Sequence, residues 1–141
     1  MNEVKSSYQA WLESIVATHG AVAGSVHVRR GEDLELVAML NLPPPVVAAV
    51  RHVPHGKGMA GLAQVRKQPV QTCNLQTDDS GRIKPGARAV DARAAVALPV
   101  FDPVGEVRAV VGLAFQEDGE IAAERERNLL NAAATLPASG S

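Results

Sequence analysis

The chain has 141 residues, 46% of them hydrophobic and 21% charged, with 14 basic against 15 acidic side chains and a formal net charge of -1. That length suits one domain around a single core, and the near balance of charge argues against a broad surface for nucleic acid or anionic membrane. A lone cysteine, Cys73, excludes an internal disulfide and a cysteine-based zinc site, and no apolar run reaches the roughly 18 residues that span a bilayer, so a cytoplasmic location is expected.

Val4, Tyr8, Trp11, Leu12 and Ile15 recur at helical spacing and predict a first helix over about 2–18, ended near Gly20. The run AVAGSVHVRR alternates and predicts a strand. A turn at Arg30-Gly31-Glu32-Asp33 sends LELVAML back as a second strand, which makes a β-hairpin. Three prolines, Pro43 to Pro45, break the chain and lead into a short helix over VVAAVRH, stopped by Pro54. A second short helix is expected over about 58–67, closed by Pro69, and PVQTC is a short strand.

Residues 74–91 are polar and carry Gly81, Pro85 and Gly86, the composition of a long binding or lid loop. AAVALPVF and EVRAVVGLAF then form a second hairpin across Asp102-Pro103-Val104-Gly105. A closing helix over about 119–136 has acids at its start, which suit the helix dipole, and Ile121, Leu129, Leu130, Ala133 and Leu136 on its apolar face. Two of the four aromatics, Tyr8 and Trp11, fall in the first helix, and Phe101 and Phe115 fall in strands. This distribution indicates core packing rather than a base-stacking surface. Residues 1–136 therefore read as one domain, followed by a flexible tail over 137–141.

The resulting fold class is α+β. A central antiparallel sheet of five to six strands carries the N- and C-terminal helices on one face, and the short helices and long loop on the other. The one motif with a chemical association is HGKGMAG, which places Gly56, Gly58 and Gly61 in the pattern G-x-G-x-x-G. A dinucleotide site needs a buried strand running straight into that pattern and a long helix after it. Here Pro54 interrupts the approach and Pro69 ends the helix early, so the glycines read as a tight helix entry. The free N–H groups of such an entry suit an anion.

The run VPHGKGMAGLAQVRKQPV resembles the middle signature of GAF domains, and RAAVALPVFDPVGEVRAVVGLAF resembles their closing hairpin. The match keeps order and spacing over about 4–136. It departs where a family-typical serine is replaced by Ala94. The resemblance implies a GAF/PAS-like sheet and a small-molecule pocket between the sheet and the middle segment. Residues expected to contact a ligand are Gly58, Met59, Gly61, Cys73, Asn74, Asp78, Arg88 and Arg93, with Arg93 the favoured partner for an anion.

Other chemistries of the family fit poorly. Free methionine sulfoxide reductases use several cysteines, and Ala60 stands where one is expected. Cys73 is followed by Asn74 rather than the histidine of a bilin site, and the Asn-Lys-Phe-Asp-Glu signature of cyclic-nucleotide GAF domains has no counterpart. No metal is expected: Pro54 breaks the helix that would align His52 and His55, and a metal site would need a third ligand, such as Asp78 or Asp79. A roadblock-type domain also begins with a helix and hairpin, but the glycine helix and closing hairpin suit it less well. No cofactor is expected beyond an unidentified small molecule.

The functional expectation is a ligand-binding sensor that signals by associating with another chain. The alternative is a ligand-free scaffold. In both, a homodimer through the terminal helices is expected, with Tyr8, Trp11, Leu12, Leu129 and Leu136 as candidate interface residues; their alternative role is core packing.

Overall fold

The computed structural model describes residues 7–72, 94–116 and 121–138. In chain order these form α1 (Ser7–His19), β1 (Ala23–Arg30), β2 (Asp33–Leu40), α2 (Pro44–Val50), β3 (His52–Val53), α3 (Gly58–Arg66), β4 (Val70–Thr72), β5 (Ala94–Phe101), β6 (Val107–Phe115) and α4 (Ala123–Ala133). The six strands make one sheet in the order β3-β2-β1-β6-β5-β4, and every neighbouring pair is antiparallel. Both predicted hairpins are present, β1–β2 and β5–β6, and the second strand of the second joins the first strand of the first at the centre of the sheet.

Alternation along the strands gives each face of the sheet its own set of side chains. One face presents Val26, Val28, Val96, Leu98, Val100, Val111, Leu113 and Phe115. These pack with Leu12 and Val16 of α1, with Leu129 and Ala133 of α4, and with Ile121 and Leu136 beside α4. Deep burial of this kind contributes about 1.5–3 kcal/mol per large aliphatic or aromatic side chain. Helix α1 lies directly on β1 at Gly24, where an added Cβ would stand 2.9 Å from a methyl of Val16 and 3.0 Å from a methyl of Leu12. The absence of a side chain there sets the height of the helix above the sheet.

Side-chain hydrogen bonds fix the ends of this layer. Gln71 of β4 grips the backbone before α4, accepting from the Ile121 N–H at 3.0 Å and donating to its carbonyl at 3.2 Å, and it also bonds to Glu126. Arg108 of β6 donates to the carbonyls of Leu136 at 2.7 Å and Pro137 at 3.1 Å, so the chain is anchored one residue into the segment expected to be a tail. On the outer edge of β2, the Gln9 amide both donates to the Met39 carbonyl at 2.9 Å and accepts from its N–H at 3.2 Å. A side chain there takes the place of a pairing strand and blunts an open edge.

The local differences from expectation have local causes. Helix α2 ends at Val50 rather than continuing to His52, and His52–Val53 pairs with β2 as a two-residue edge strand. Pro54 disfavours helical backbone at Val53 and pushes it to extended geometry. The closing helix is Ala123–Ala133, yet Leu136 beyond its end remains buried. Helix α3 ends where expected, but through a left-handed Lys67 whose N–H returns to the Ala63 carbonyl at 2.9 Å, before Pro69 is reached. The long 74–91 segment lies outside the described residues.

Candidate functional site

The second face of the sheet is built from smaller side chains. Pairing across three strands lines up Ala23, Ala114 and Ala95 in one row and Ser25, Gly112 and Ala97 in the next. A third row, His27, Val110 and Pro99, is bulkier. Helices α2 and α3 cross above these rows and set down Val46, Val50 and Met59. Alanine and glycine cannot fill the gap beneath them, and a cavity of about 140 Å³ remains.

Polar groups around this cavity are few. Ser25, His27 and Lys57 line it, and no carboxylate does so among the described residues. His27 is 3% exposed, and its Nε2 lies 2.8 Å from the Val50 carbonyl oxygen. A carbonyl only accepts, so Nε2 carries a proton and the imidazole ties the sheet floor to the end of α2. Lys57 stands at the N-cap of α3, exposed at the rim, and no side chain caps the helix start behind it.

The three glycines of the HGKGMAG run divide their tasks. Gly56 and Gly58 have φ of 77° and 64°, the left-handed region open to glycine. Gly61 allows a close approach: a Cβ on it would lie 2.8 Å from the carbonyl carbon of Gly56. The turn is thereby folded against the first turn of α3, and Gly58, Met59 and Ala60 are delivered to the cavity wall. Of the residues expected at a ligand, Gly58 and Met59 line the cavity; Gly61 sits behind it as a packing residue. Cys73, Asn74, Asp78, Arg88 and Arg93 lie outside the described residues. Ser25, His27, Lys57 and the alanine rows were not anticipated.

The candidate interface residues go largely to the chain's own core. Leu12, Leu129 and Leu136 are 0%, 1% and 4% exposed within a single chain. Tyr8 and Trp11 are partly buried against the same cluster, and the Trp11 indole donates to the Thr135 hydroxyl at 2.9 Å. The two histidines weighed as metal ligands are instead held by Asp33: His52 Nε2 lies 2.9 Å from one carboxylate oxygen, and the His55 backbone N–H donates to the other at 3.1 Å. No cluster of three metal-ligating side chains occurs among the described residues, and no helix among them is long and apolar enough to cross a membrane.

A second hollow, about 230 Å³, lies at the far end of α3 against the two hairpin turns. It is the wider of the two, but its walls include Arg29, Glu32, His55, Lys67 and Glu106, and Lys67 and Glu106 pair with each other at 3.5 Å. With charged side chains on its walls, this hollow lacks the predominantly apolar lining of a small-molecule site.

Comparison with known proteins agrees with the geometry. The sequence profile described as "GAF domain" matches residues 3–139. Among solved structures, the chain is similar to the type II free methionine-R-sulfoxide reductase from Thermoplasma acidophilum, with a TM-score of 0.74 and 16% identity over 91% of this chain and 87% of that one. It is also similar to the GAF domain of a phosphoenolpyruvate-protein phosphotransferase from Acinetobacter, with a TM-score of 0.73 and 16% identity over 92% and 76% of the two chains. A third likeness is to the free methionine-R-sulfoxide reductase from Neisseria meningitidis solved with its substrate, with a TM-score of 0.66 and 15% identity over 87% and 73%. At these identities the likeness is one of fold. Comparison with curated proteins gave no match.

Proposed function

Given that the chain belongs to the GAF domain family, we propose that it is a ligand-binding regulatory module which takes a small molecule between the sheet and helices α2 and α3, and reports it by association with another chain. The observation that carries this reading is the cavity of about 140 Å³ over rows of alanine and glycine, in a sheet whose opposite face is closely packed. A fold that needed only stability would fill such a space, because unfilled volume costs packing energy.

Transmission follows from shared strands. β1, β5 and β6 form the floor of the cavity and, through their alternate residues, the platform for α1 and α4. A ligand that favours one arrangement of these strands therefore biases the packing of the terminal helices, which is a population shift between two states. Reduction of a sulfoxide is the chemistry named for two of the structural relatives. Within this chain a thiol–disulfide cycle lacks a second cysteine, so binding is preferred over catalysis.

Native mass spectrometry of the protein purified from a gentle lysate tests the reading. A stoichiometric small-molecule adduct is expected, and the same spectrum reports the number of chains. A bare chain mass, unchanged across a panel of metabolites and nucleotides, would contradict ligand binding and favour a scaffold.

A further inference from the structure

Taking the cavity as a ligand site, as proposed above, we infer its ligand class: a small molecule with a short, compact apolar body and a single anionic group, a carboxylate being the simplest, held at the rim by Lys57 and the start of α3.

Size sets the first limit. A volume of about 140 Å³ holds on the order of ten water-sized groups, which suits a short branched chain and its polar end. Lining sets the second. Ala95, Ala97 and Ala114 form the floor and Val46, Val50 and Met59 the roof, surfaces that reward apolar contact. No Phe, Tyr or Trp lines the cavity among the described residues, so a base would find no stacking platform.

Charge sets the third limit. No carboxylate lines the cavity among the described residues, and Lys57 is the formal cation there. Among those residues Lys57 takes part in no ion pair; the pairs formed are Arg30–Glu35, His52–Asp33 and Lys67–Glu106. Its position is also the N-cap of α3, where no side chain caps the helix, so the positive end of the helix and the ammonium act in the same sense. His27 does not reverse this sign, since an imidazole is either neutral or cationic, and its Nε2–H donates to the Val50 carbonyl. Among the described residues the walls are apolar and the rim carries a cation, which recognises a molecule of matching polarity: an apolar body inside and an anion at the mouth.

The test uses isocaproate and its neutral isostere isocaproamide, which share shape and size and differ in charge. Each is titrated into the intact protein and into Lys57→Met, which keeps the aliphatic stem and removes the charge. Backbone amide shifts of Ala95, Ala97, Gly112 and Ala114 report binding at the cavity itself. The expected result is a dissociation constant about tenfold lower for isocaproate than for isocaproamide, with the preference lost in Lys57→Met. Equal affinity for the two probes in the wild type would overturn the anionic class while leaving a ligand cavity standing. A preference for isocaproate that survives in Lys57→Met would overturn the assignment to Lys57. If neither probe moves the cavity amides, both the ligand class and the reading of the cavity as a binding site fail.

Discussion

The two faces of the sheet come from the same strands, yet they are built to opposite specifications. In β5, Ala95 and Ala97 turn to α2 and α3 while Val96 and Leu98 turn to α1 and α4. In β6, Gly112 and Ala114 face one way and Leu113 and Phe115 the other. Small and large residues alternate with the pleat. The result is a filled core beneath the terminal helices and, beneath the middle ones, a cavity bordered by a second packed cluster that includes Leu34, Val53, Ala63, Val70 and Val110. The larger buried cluster lies on the first face and the unfilled space on the second, so one small sheet carries both.

Truncation should separate the faces most sharply. Phe115, 1% exposed and carrying Arg125 over its ring at 4.4 Å, belongs to the filled face. Phe115→Ala is expected to lose about 3–5 kcal/mol in urea unfolding. A loss under about 1 kcal/mol would mean that this core is not the main source of stability.

Added methyl groups give the next largest effects, and they rank by what the new Cβ meets. At Gly61 it meets the backbone of Gly56 at 2.8 Å, which cannot move without reshaping the turn. Gly61→Ala is expected to cost about 1–3 kcal/mol, more than the gain of about 1 kcal/mol from better helix propensity, and to weaken ligand binding as well. At Gly24 the Cβ meets side-chain methyls of Val16 and Leu12, and the Gly112 carbonyl oxygen only at 3.3 Å, so Gly24→Ala should cost somewhat less, about 1–2 kcal/mol, and disturb binding less than Gly61→Ala, because the new methyl points to α1. At Gly112 it meets only the Ser25 hydroxyl at 2.7 Å, a group that can rotate aside. Gly112→Ala should cost under about 1 kcal/mol. Thermal or urea unfolding of the three variants checks the order, and a Gly112→Ala variant as unstable as Gly61→Ala would break the contrast.

The smallest stability effect belongs to filling the cavity. Ala97→Val places two methyl groups over open space, so stability should change by less than about 1 kcal/mol in either direction. Retained adduct or probe binding should nevertheless be lost. Binding that survives this change would put the ligand elsewhere.

Much of this architecture was legible in the sequence, because periodicity and turn chemistry act locally. The two hairpins, the α1 stripe and the glycine entry to α3 all followed from residues within a few positions of one another. The short strand at His52–Val53 was hidden because its partner, Leu34–Glu35, lies far back in the chain, although Pro54 signalled extended backbone just before it. The leucines at 12, 129 and 136 read equally well as interface or core, since an apolar stripe does not say which surface it meets.

The candidate site was less legible. A glycine pattern singled out Gly58 and Met59, which line the cavity. The cavity itself arises from rows across β1, β6 and β5, such as Ser25–Gly112–Ala97, which are distant in sequence. One signal was nevertheless present. The closing hairpin alternates in side-chain size as well as polarity, as in Ala95-Val96-Ala97-Leu98 and Gly112-Leu113-Ala114-Phe115. A two-residue period in volume marks one face of a strand as left open. Lys57 and His27 carried no such mark, because their roles depend on the helix start and on the Val50 carbonyl that the fold brings to them.

The central claim, a filled face backed by an open one, is tested most directly by a crystal structure determined under xenon pressure. Xenon enters apolar cavities and has no chemistry of its own to impose. The account predicts xenon density among Ala97, Gly112, Ala114 and Met59, and none between the sheet and the α1–α4 layer. Side chains of α2 and α3 collapsed onto the alanine rows, with no xenon between them, would contradict it.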